Sequence, residues 1–373
     1  MNESRTIVGV MTGTSLDGID ATVIQVEGHG LNLRPELIEV ASGPLGPAAH
    51  PLRAWSNGES LPAAVIAAAA TDLGRACLAT IATLEKARSV DLAGVHGQTV
   101  FHRPPYSLQL LDPAPLARGL QCPVLFDFRG GDLAAGGQGA PITPLADWMM
   151  YRDLVPTTVI NLGGFCNLTN LPSRDGTIHS ITAADICPCN HLLDELARQR
   201  LGVPFDRGGR VAVQGVPNAA AVDRITAVLR RLSSDHRSLG TGDESLALVE
   251  MVRRLPTPDA LATMADALAS VIAAAIPRTP RRVVVAGGGS RNRALLESLS
   301  RSHDGPLESS DAVGIPVTAR EAMAIAVLTA LADDGVPFTL PQVTGRTEST
   351  SFDGCWCFPR GIVNADAVRG TIP

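Results

Sequence analysis

The chain has 373 residues, more than a single hydrophobic core normally serves, so we expect two domains with a cleft between them. Its apolar content of 45% is ordinary, and its formal net charge of −6 offers no general attraction for nucleic acid or an anionic membrane. Seven scattered cysteines argue against a disulfide framework. Because neither a signal peptide nor an uninterrupted apolar span is visible, we expect a cytoplasmic protein without membrane contact.

A strand, a polar glycine turn and a second strand form the first unit of the chain. Ile7–Met11 is a short apolar run, the turn Thr12–Gly18 follows, and Ile19–Val26 resumes a β-branched pattern. The second half repeats this design with the apolar run Thr157–Leu162 and the turn Gly163–Asn167. Two hairpins of one design predict two related domains.

Strands and helices alternate along the rest of the chain, which is typical of an α/β protein. Helical patterns are predicted over Leu61–Glu85, Leu108–Gly119, Asn190–Arg200 and Asp259–Ile276, and strands at Ala93–Phe101 and Arg282–Ala286. We expect a first domain at 1–155, a second at 156–335, and a tail at 336–373 that returns to the first.

Three glycine turns predict a nucleotide site. A turn rich in Gly, Thr and Ser lets backbone N–H groups approach phosphate oxygens, and Asp17 in the first turn would need a cation between itself and a phosphate. The third turn, Gly287–Gly289, lies between a strand and a helix, where α/β sheets bind ligands. Any one of these turns alone could be a simple connection. The predicted nucleotide contacts are Gly13, Thr14, Ser15, Leu16, Asp17, Gly18, Ile19, Asp20, Gly163, Gly164, Asn167, Gly287, Gly288, Gly289 and Asn292.

Several motifs, in order and spacing, resemble the anhydro-N-acetylmuramic acid kinases. They are GTSLDG, HGQT, DFR followed by GGQGAP, NLGGFCNLT, VVVAGGGSRN and REAMAIA, and the similarity spans nearly the whole chain. This resemblance implies an α/β, two-domain actin-like (ribonuclease H-like) ATPase fold with an interdomain cleft. It also implies ATP and Mg²⁺ as cofactors, and a homodimer, since members of the family are commonly dimers.

The resemblance further implies an enzyme that opens the 1,6-anhydro ring of the sugar by hydrolysis and phosphorylates O6 with ATP, in cell-wall recycling. The family's Asp-Thr-Gly-Pro-Gly-Asn motif falls on residues 185–190, which makes Asp185 the expected catalytic base. Ile186, Cys187 and Cys189 replace the family's threonine and two glycines. Two cysteines would strain or narrow the loop if those glycines need positive φ or a close backbone approach to the sugar. The residues alone favour another interpretation, in which Asp185 is an exposed loop acid before the helix at His191 and Asn190 is the N-cap.

Further site residues are carried over from the same family. Glu321 would lie near the cation with Asp17, although Thr318 and Glu321 also fit a capping box. Arg129 would contact a phosphate or sugar oxygen, or pair with Asp132. The predicted sugar contacts are Gln98, Arg129, Asp20 and Asn190.

Two alternatives follow from the altered loop: a kinase for another anhydrosugar, and a catalytically weak nucleotide- and sugar-binding homologue. The Cys-x-Cys pairs, Cys187/Cys189 and Cys355/Cys357, could hold a metal or be small apolar residues. The lone histidines His96 and His102 are assigned no chemistry.

Overall fold

The structure is a computed structural model of the chain. It describes residues 4–13, 16, 18–56, 58–173, 175–234, 238–240, 242–243, 245–279, 281–348 and 353–359. Thr14, Ser15 and Asp17 of the first turn lie outside the described residues.

Strands and helices alternate as predicted. The strands are β1 (Arg5–Thr12), β2 (Ile19–Glu27), β3 (Arg34–Gly43), β4 (Leu92–Val95), β5 (Gln98–Arg103), β6 (Tyr106–Leu110), β7 (Val124–Phe126), β8 (Thr157–Leu162), β9 (Phe165–Leu171), β10 (Thr182–Pro188), β11 (Arg282–Ala286), β12 (Leu307–Ser309) and β13 (Cys355–Cys357). The α-helices are α1 (Ala49–Ser56), α2 (Ala63–Ile81), α3 (Ala114–Leu120), α4 (Gly130–Ala134), α5 (Pro144–Tyr151), α6 (Asn190–Leu201), α7 (Ala219–Ser234), α8 (Thr257–Ala275), α9 (Arg293–Ser302), α10 (Arg320–Asp333) and α11 (Pro341–Thr344).

Two sheets of one design organise the molecule. The first has the order β13-β7-β4-β1-β2-β3, and the second has the order β10-β9-β8-β11-β12. In each sheet the first three strands are antiparallel neighbours, and two later strands are added in parallel on the other side of the first strand. This shared topology is that of the ribonuclease H-like fold, so the predicted fold class is confirmed. We call the two units the first and the second lobe.

Helix α10 lies between the two sheets. It packs on β1, β2 and β4. A Cβ at Gly9 would overlap the carbonyl of Ala322, and one at Gly94 would overlap the hydroxyl of Thr329. Glycine at these two strand positions therefore allows the close approach of the helix. The same core includes Val159 of the second sheet, so α10 is shared by both lobes.

The domain limits stay a prediction. Residues 320–333 fall in the predicted second domain, and their helix packs on the first sheet, where the glycines at positions 9 and 94 allow its close approach. β13 pairs with β7 of the first sheet. A buried ion pair between Arg320 of α10 and Asp147 of α5 lies in the same region.

Most predicted elements are confirmed within a few residues, and Leu108–Gly119 is wrong in part. Residues up to Leu110 belong to β6, which pairs with β5, and only Ala114–Leu120 is helical. Pro113, the N-cap, explains the late start, because the residue before a proline avoids helical backbone.

Two helices, α2 and α8, are long and apolar enough by length and composition to cross a bilayer. The core helix of a globular protein passes the same test. Helix α8 packs against α6, α7 and α9, and α2 against α3 and β2. These contacts are those of helices within the two lobes.

Candidate active site

Three polar side chains stand side by side on neighbouring strands of the second sheet. Asn161 on β8 is in register with Asn167 on β9, which is in register with Asp185 on β10. Residues directly opposite each other on paired strands project from the same face of a sheet. Val159, two residues before Asn161 and on the same face, packs in the core that contains α10. This polar row therefore faces the first lobe.

Asp185, the predicted base, is half-buried at one end of the polar row. Its Oδ2 atom accepts a hydrogen bond from the backbone N–H of Leu239 at 2.8 Å. The guanidinium of Arg129 interacts electrostatically with the same carboxylate. Strand β10 shifts register between Asp185 and Cys187, so the carboxylate lies at an irregularity in the strand. The predicted base and the predicted sugar-binding arginine are thus neighbours.

Arg129, at the N-terminus of α4, is held by two acceptors. Its Nη1 donates to the carbonyl of Gly139 at 2.8 Å, and its Nε donates to Nε2 of His96 at 3.3 Å. Burial lowers the pKa of Arg129 to about 10, while the carboxylates of Asp185 and Asp127 oppose that shift. The guanidinium therefore remains charged at neutral pH.

Asp132, the alternative partner of Arg129, is engaged elsewhere. It accepts hydrogen bonds from the N–H of Gly139 and the hydroxyl of Thr344, both at 2.7 Å, and lies 3.8 Å from Arg346. The acid thus joins α4 to α11 and to the segment that follows it.

The turn Gly163–Gly164 is fastened to the segment that follows Asp185. The N–H of Cys189 donates to the Gly164 carbonyl at 2.7 Å, and the N–H of Asn190 donates to the Gly163 carbonyl at 3.1 Å. Asn190 is the first residue of α6 and Cys189 is its N-cap, so the alternative of Asn190 as N-cap is wrong. The Asn190 side chain instead donates to the Leu162 carbonyl at 3.0 Å.

The third turn, Gly287–Gly289, lies against the same strand end. Gly287 has a φ of +78°, and a Cβ there would lie 2.5 Å from Oδ1 of Asn161. A Cβ at Gly289 would lie 2.8 Å from Oδ1 of Asn190. Asn292 caps α9, since its side chain accepts from the N–H of Leu295 at 3.2 Å. The second and third turns thus meet at Asn161 and Asn190, so Asn190, a predicted sugar contact, lies with turns of the predicted nucleotide site.

Glu321 lies in the first turn of α10 and is half-buried. The predicted capping box is wrong, because the N-cap is Ala319 and no side chain caps the helix. Instead, Oε1 of Glu321 accepts a hydrogen bond from Nδ2 of Asn161 at 2.9 Å. The carboxylate is thereby held at the other end of the polar row from Asp185.

The side-chain oxygen of Asn161 fits a cation site. Asn161 is 5% exposed, and its Oδ1 is buried without a hydrogen-bond partner among the described residues. Magnesium takes carboxylate and amide oxygens, and usually one or two protein ligands besides water and phosphate. The Glu321 carboxylate and the Asn161 amide oxygen are donors of this kind. Asp17, the other predicted metal ligand, lies outside the described residues.

The described residues of the first turn, Gly13, Leu16 and Gly18, make main-chain contacts. The N–H of Leu16 donates to the Gly13 carbonyl at 3.2 Å, and the side chains of Leu16 and Ile19 pack in the core of the first lobe. A Cβ at Gly18 would lie 3.0 Å from the Gly43 carbonyl. The Leu16 N–H and the Gly13 carbonyl are thus paired with each other within the turn.

The two remaining predicted sugar contacts lie in the first lobe. Asp20, at the start of β2, accepts from the Ser42 hydroxyl at 2.5 Å. Gln98, at the start of β5, is 2% exposed, and its Nε2 donates to the Thr99 carbonyl at 3.3 Å. Its Oε1 is buried without a partner among the described residues. A buried amide oxygen of this kind suits a ligand hydroxyl.

Comparison with known proteins decides the family. The sequence profile of the anhydro-N-acetylmuramic acid kinases matches residues 5–357. The chain belongs to this family. Kinases of that name from Nitrobacter winogradskyi and Bordetella petrii are 35% and 36% identical; the matches cover 91% of this chain and 96% and 93% of theirs.

Solved structures also align with the chain. Component A of (R)-2-hydroxyglutaryl-CoA dehydratase from Acidaminococcus fermentans aligns with a TM-score of 0.46 and 14% identity, over 87% of this chain and 98% of its own. A ROK hexokinase from Thermus thermophilus aligns with a TM-score of 0.34 and 15% identity, over 88% of this chain and 99% of its own. The resemblance predicted from the motifs is confirmed by the family match, and the chain is an anhydro-N-acetylmuramic acid kinase family member with the enzyme class of an ATP-dependent sugar kinase.

The altered loop of this family member is accommodated in the core. Both Cys187 and Cys189 are fully buried beside Cys166. Cys187 lies within β10, and Cys189 has a φ of −121°, so neither needs the left-handed backbone that favours glycine. The expected strain is therefore absent from both positions. Burial raises the pKa of the two thiols, as for unreactive core cysteines.

The metal hypothesis for the Cys-x-Cys pairs finds no support in the described ranges. Within them, no group of three or more His, Cys, Asp or Glu side chains could hold a metal ion, and the cysteines there are free thiols. Cys355 and Cys357 form the edge strand β13.

Sequence reasoning missed two groups at this site. Asn161 was part of the quoted NLGGFCN motif but was assigned no role, and only its register with Asn167 and Asp185 shows its place. The Leu239 N–H carries no sequence signal, because a backbone donor on a distant segment can be located only by the fold.

Proposed function

We propose that the protein binds ATP and 1,6-anhydro-N-acetylmuramic acid in the cleft that the polar row faces. It opens the anhydro ring and transfers the γ-phosphoryl group to O6, which gives N-acetylmuramic acid 6-phosphate for cell-wall recycling. The observation that carries this proposal is the polar row itself. It joins Glu321 and the glycine turns at one end to Asp185 and Arg129 at the other.

Asp185 is the base in this proposal. Its carboxylate takes a proton from a water molecule whose oxygen attacks the anomeric carbon, and the bond between C1 and O6 breaks. The released O6 attacks the γ-phosphorus, and ADP leaves. The Leu239 N–H holds one carboxylate oxygen at 2.8 Å, which orients the other toward the water.

The turns around Gly13, Gly163 and Gly287 would hold the phosphates through backbone N–H groups. Asn161, Glu321 and Asp17 would hold Mg²⁺, which neutralises charge on the phosphates. Arg129, Gln98 and Asp20 would bind the sugar. Polar groups that lie buried without a partner, such as Gln98 Oε1, support these roles because a ligand would satisfy them.

We further propose a cytoplasmic location and a homodimer, both by analogy with the family. The altered loop is the feature that favours another anhydrosugar or a catalytically weak homologue. Because Cys187 and Cys189 pack into the core without left-handed backbone, and the named relatives are kinases of the parent reaction, the parent reaction is preferred.

A coupled assay for ADP release tests the proposal, with Mg·ATP and with or without 1,6-anhydro-N-acetylmuramic acid. We expect sugar-dependent turnover that Asp185→Asn abolishes while ADP binding, measured by calorimetry, is retained. Asp223→Asn, an exposed acid on α7, is the matched control and should match the parent protein. Absence of sugar-dependent turnover in the parent protein, with ADP bound, would exclude this reaction.

A further inference from the structure

His96 is a buried histidine whose role the proposed reaction leaves open. It follows β4, is 1% exposed, and its backbone N–H donates to the Val10 carbonyl at 3.1 Å. Its Nδ1 lies 3.0 Å from the Gly97 carbonyl. Its ring stacks on Phe128, with centroids 6.4 Å apart and planes 28° from parallel. The ring is therefore fixed from three directions, and Nε2 is the atom that it presents to Arg129.

The hydrogen-bond partners of His96 define its tautomer. The Gly97 carbonyl can only accept, so Nδ1 carries the proton. The Nε–H of Arg129 can only donate, so Nε2 must be the unprotonated nitrogen. A second proton on Nε2 would point at a guanidinium. Consistently, burial, and next the charge of Arg129, lower the pKa of His96 to about 3.

The guanidinium of Arg129 donates two hydrogen bonds, from Nε to His96 and from Nη1 to the Gly139 carbonyl. A planar guanidinium with two such bonds has little freedom to rotate. The positive charge of Arg129 interacts electrostatically with the carboxylate of Asp185. The direction of the guanidinium thus depends on a neutral ring that is itself fixed.

We propose that His96 is a positioning residue that aims Arg129 at Asp185 and the bound sugar, and that it takes no part in proton transfer. The inference rests on the proposed function, because it supposes that Arg129 contacts the sugar. His96 matters here as a fixed hydrogen-bond acceptor, so another acceptor at the place of Nε2 should replace it.

His96→Leu and His96→Gln form the test pair, since glutamine can place an amide oxygen near the position of Nε2 and leucine cannot. We expect His96→Leu to lower kcat/KM for the anhydrosugar about 10- to 100-fold, the effect of leaving a buried charged donor unpaired. KM for ATP should stay within about twofold, because the nucleotide turns are not in this chain of contacts. His96→Gln should recover most of the loss, and the exposed His50→Leu is the control.

A double-mutant cycle separates positioning from packing. Lysine at position 129 lacks the Nε–H, so adding His96→Leu to Arg129→Lys should cause little further loss. Additive losses, a His96→Gln variant as poor as His96→Leu, or unchanged sugar kinetics in His96→Leu would each overturn the proposal. If His96→Leu does not fold, His96→Asn replaces it, since its shorter amide cannot reach Arg129. Parent protein without sugar-dependent turnover would instead refute the proposed reaction.

Discussion

Gly287 offers a sharp test of how the third glycine turn is built. An alanine there would place its Cβ 2.5 Å from Oδ1 of Asn161 and 2.8 Å from the carbonyl group of Leu162, at a φ of +78°. The neighbouring Gly288 is a matched control, because its Cβ would lie 3.8 Å from Nδ2 of Asn190, an ordinary contact.

The expected magnitude has two parts. A non-glycine residue at this φ of +78° and ψ of 168° costs about 1–3 kcal/mol, and an added carbon in a packed site costs about 1–3 kcal/mol. Because the Leu162 backbone belongs to β8 and cannot move away freely, both costs apply at Gly287. We expect Gly287→Ala to lower the free energy of unfolding by about 2–6 kcal/mol, and Gly288→Ala by less than about 1 kcal/mol.

Urea denaturation followed by circular dichroism measures the two stabilities, and calorimetry measures ADP affinity of Gly287→Ala below its unfolding transition. We expect weaker ADP binding as well, since a shift of the turn displaces its N–H groups. If Gly287→Ala is as stable as Gly288→Ala, the close approach of this turn to β8 is refuted.

Three further predictions concern stability. Asp147→Asn leaves the buried Arg320 without its carboxylate and should lower the free energy of unfolding, measured in urea, by about 3–5 kcal/mol. The control Glu297→Gln, in an exposed pair with Arg293, should lower it by less than about 1 kcal/mol. Similar losses in the two variants would contradict this prediction. Burial lowers the pKa of His102 to about 3, and an unfolded histidine titrates near about 6.5. The unfolded state therefore binds the extra proton, and stability should fall as pH drops below about 6.5. In His102→Gln, the melting temperature should change less with pH between about pH 7 and 5 than in the parent protein. An unchanged slope of melting temperature against pH would count against this role of His102. Cys187→Gly and Cys189→Gly should each cost about 1–2 kcal/mol without a gain in sugar turnover, because they empty core volume; faster turnover would revive the strained-loop alternative.

The hairpins, the third strand-turn-helix unit and the fold class were predictable because each is local. Glycine turns between β-branched runs carry their own signal, and β1, β2, β8 and β11 appear where the pattern placed them, while β9 begins at Phe165, inside the predicted turn Gly163–Asn167. Helix α10 was harder to assign, since its almost uniformly buried surface has no amphipathic face that would reveal which sheet it covers.

The site was predictable only in part. Asp185 and Arg129 could be named from their motifs, but their proximity follows from packing between residues far apart in sequence. The Thr318–Glu321 pattern predicted a capping box for α10, but in the structure the Glu321 carboxylate accepts a hydrogen bond from the Asn161 side chain instead. The sequence thus offered a local cap for α10, whereas the partner in the structure, Asn161 on β8, is distant in sequence.

The place of α10 also bears on motion within the molecule. Arg320 and Glu321 are adjacent, yet the first is tied to Asp147 of α5 and the second to Asn161 of β8. One helical turn is thus bonded to α5 on one side and to the second sheet on the other. A rotation of the lobes that moved β8 away from α10 would have to break the hydrogen bond between Glu321 and Asn161.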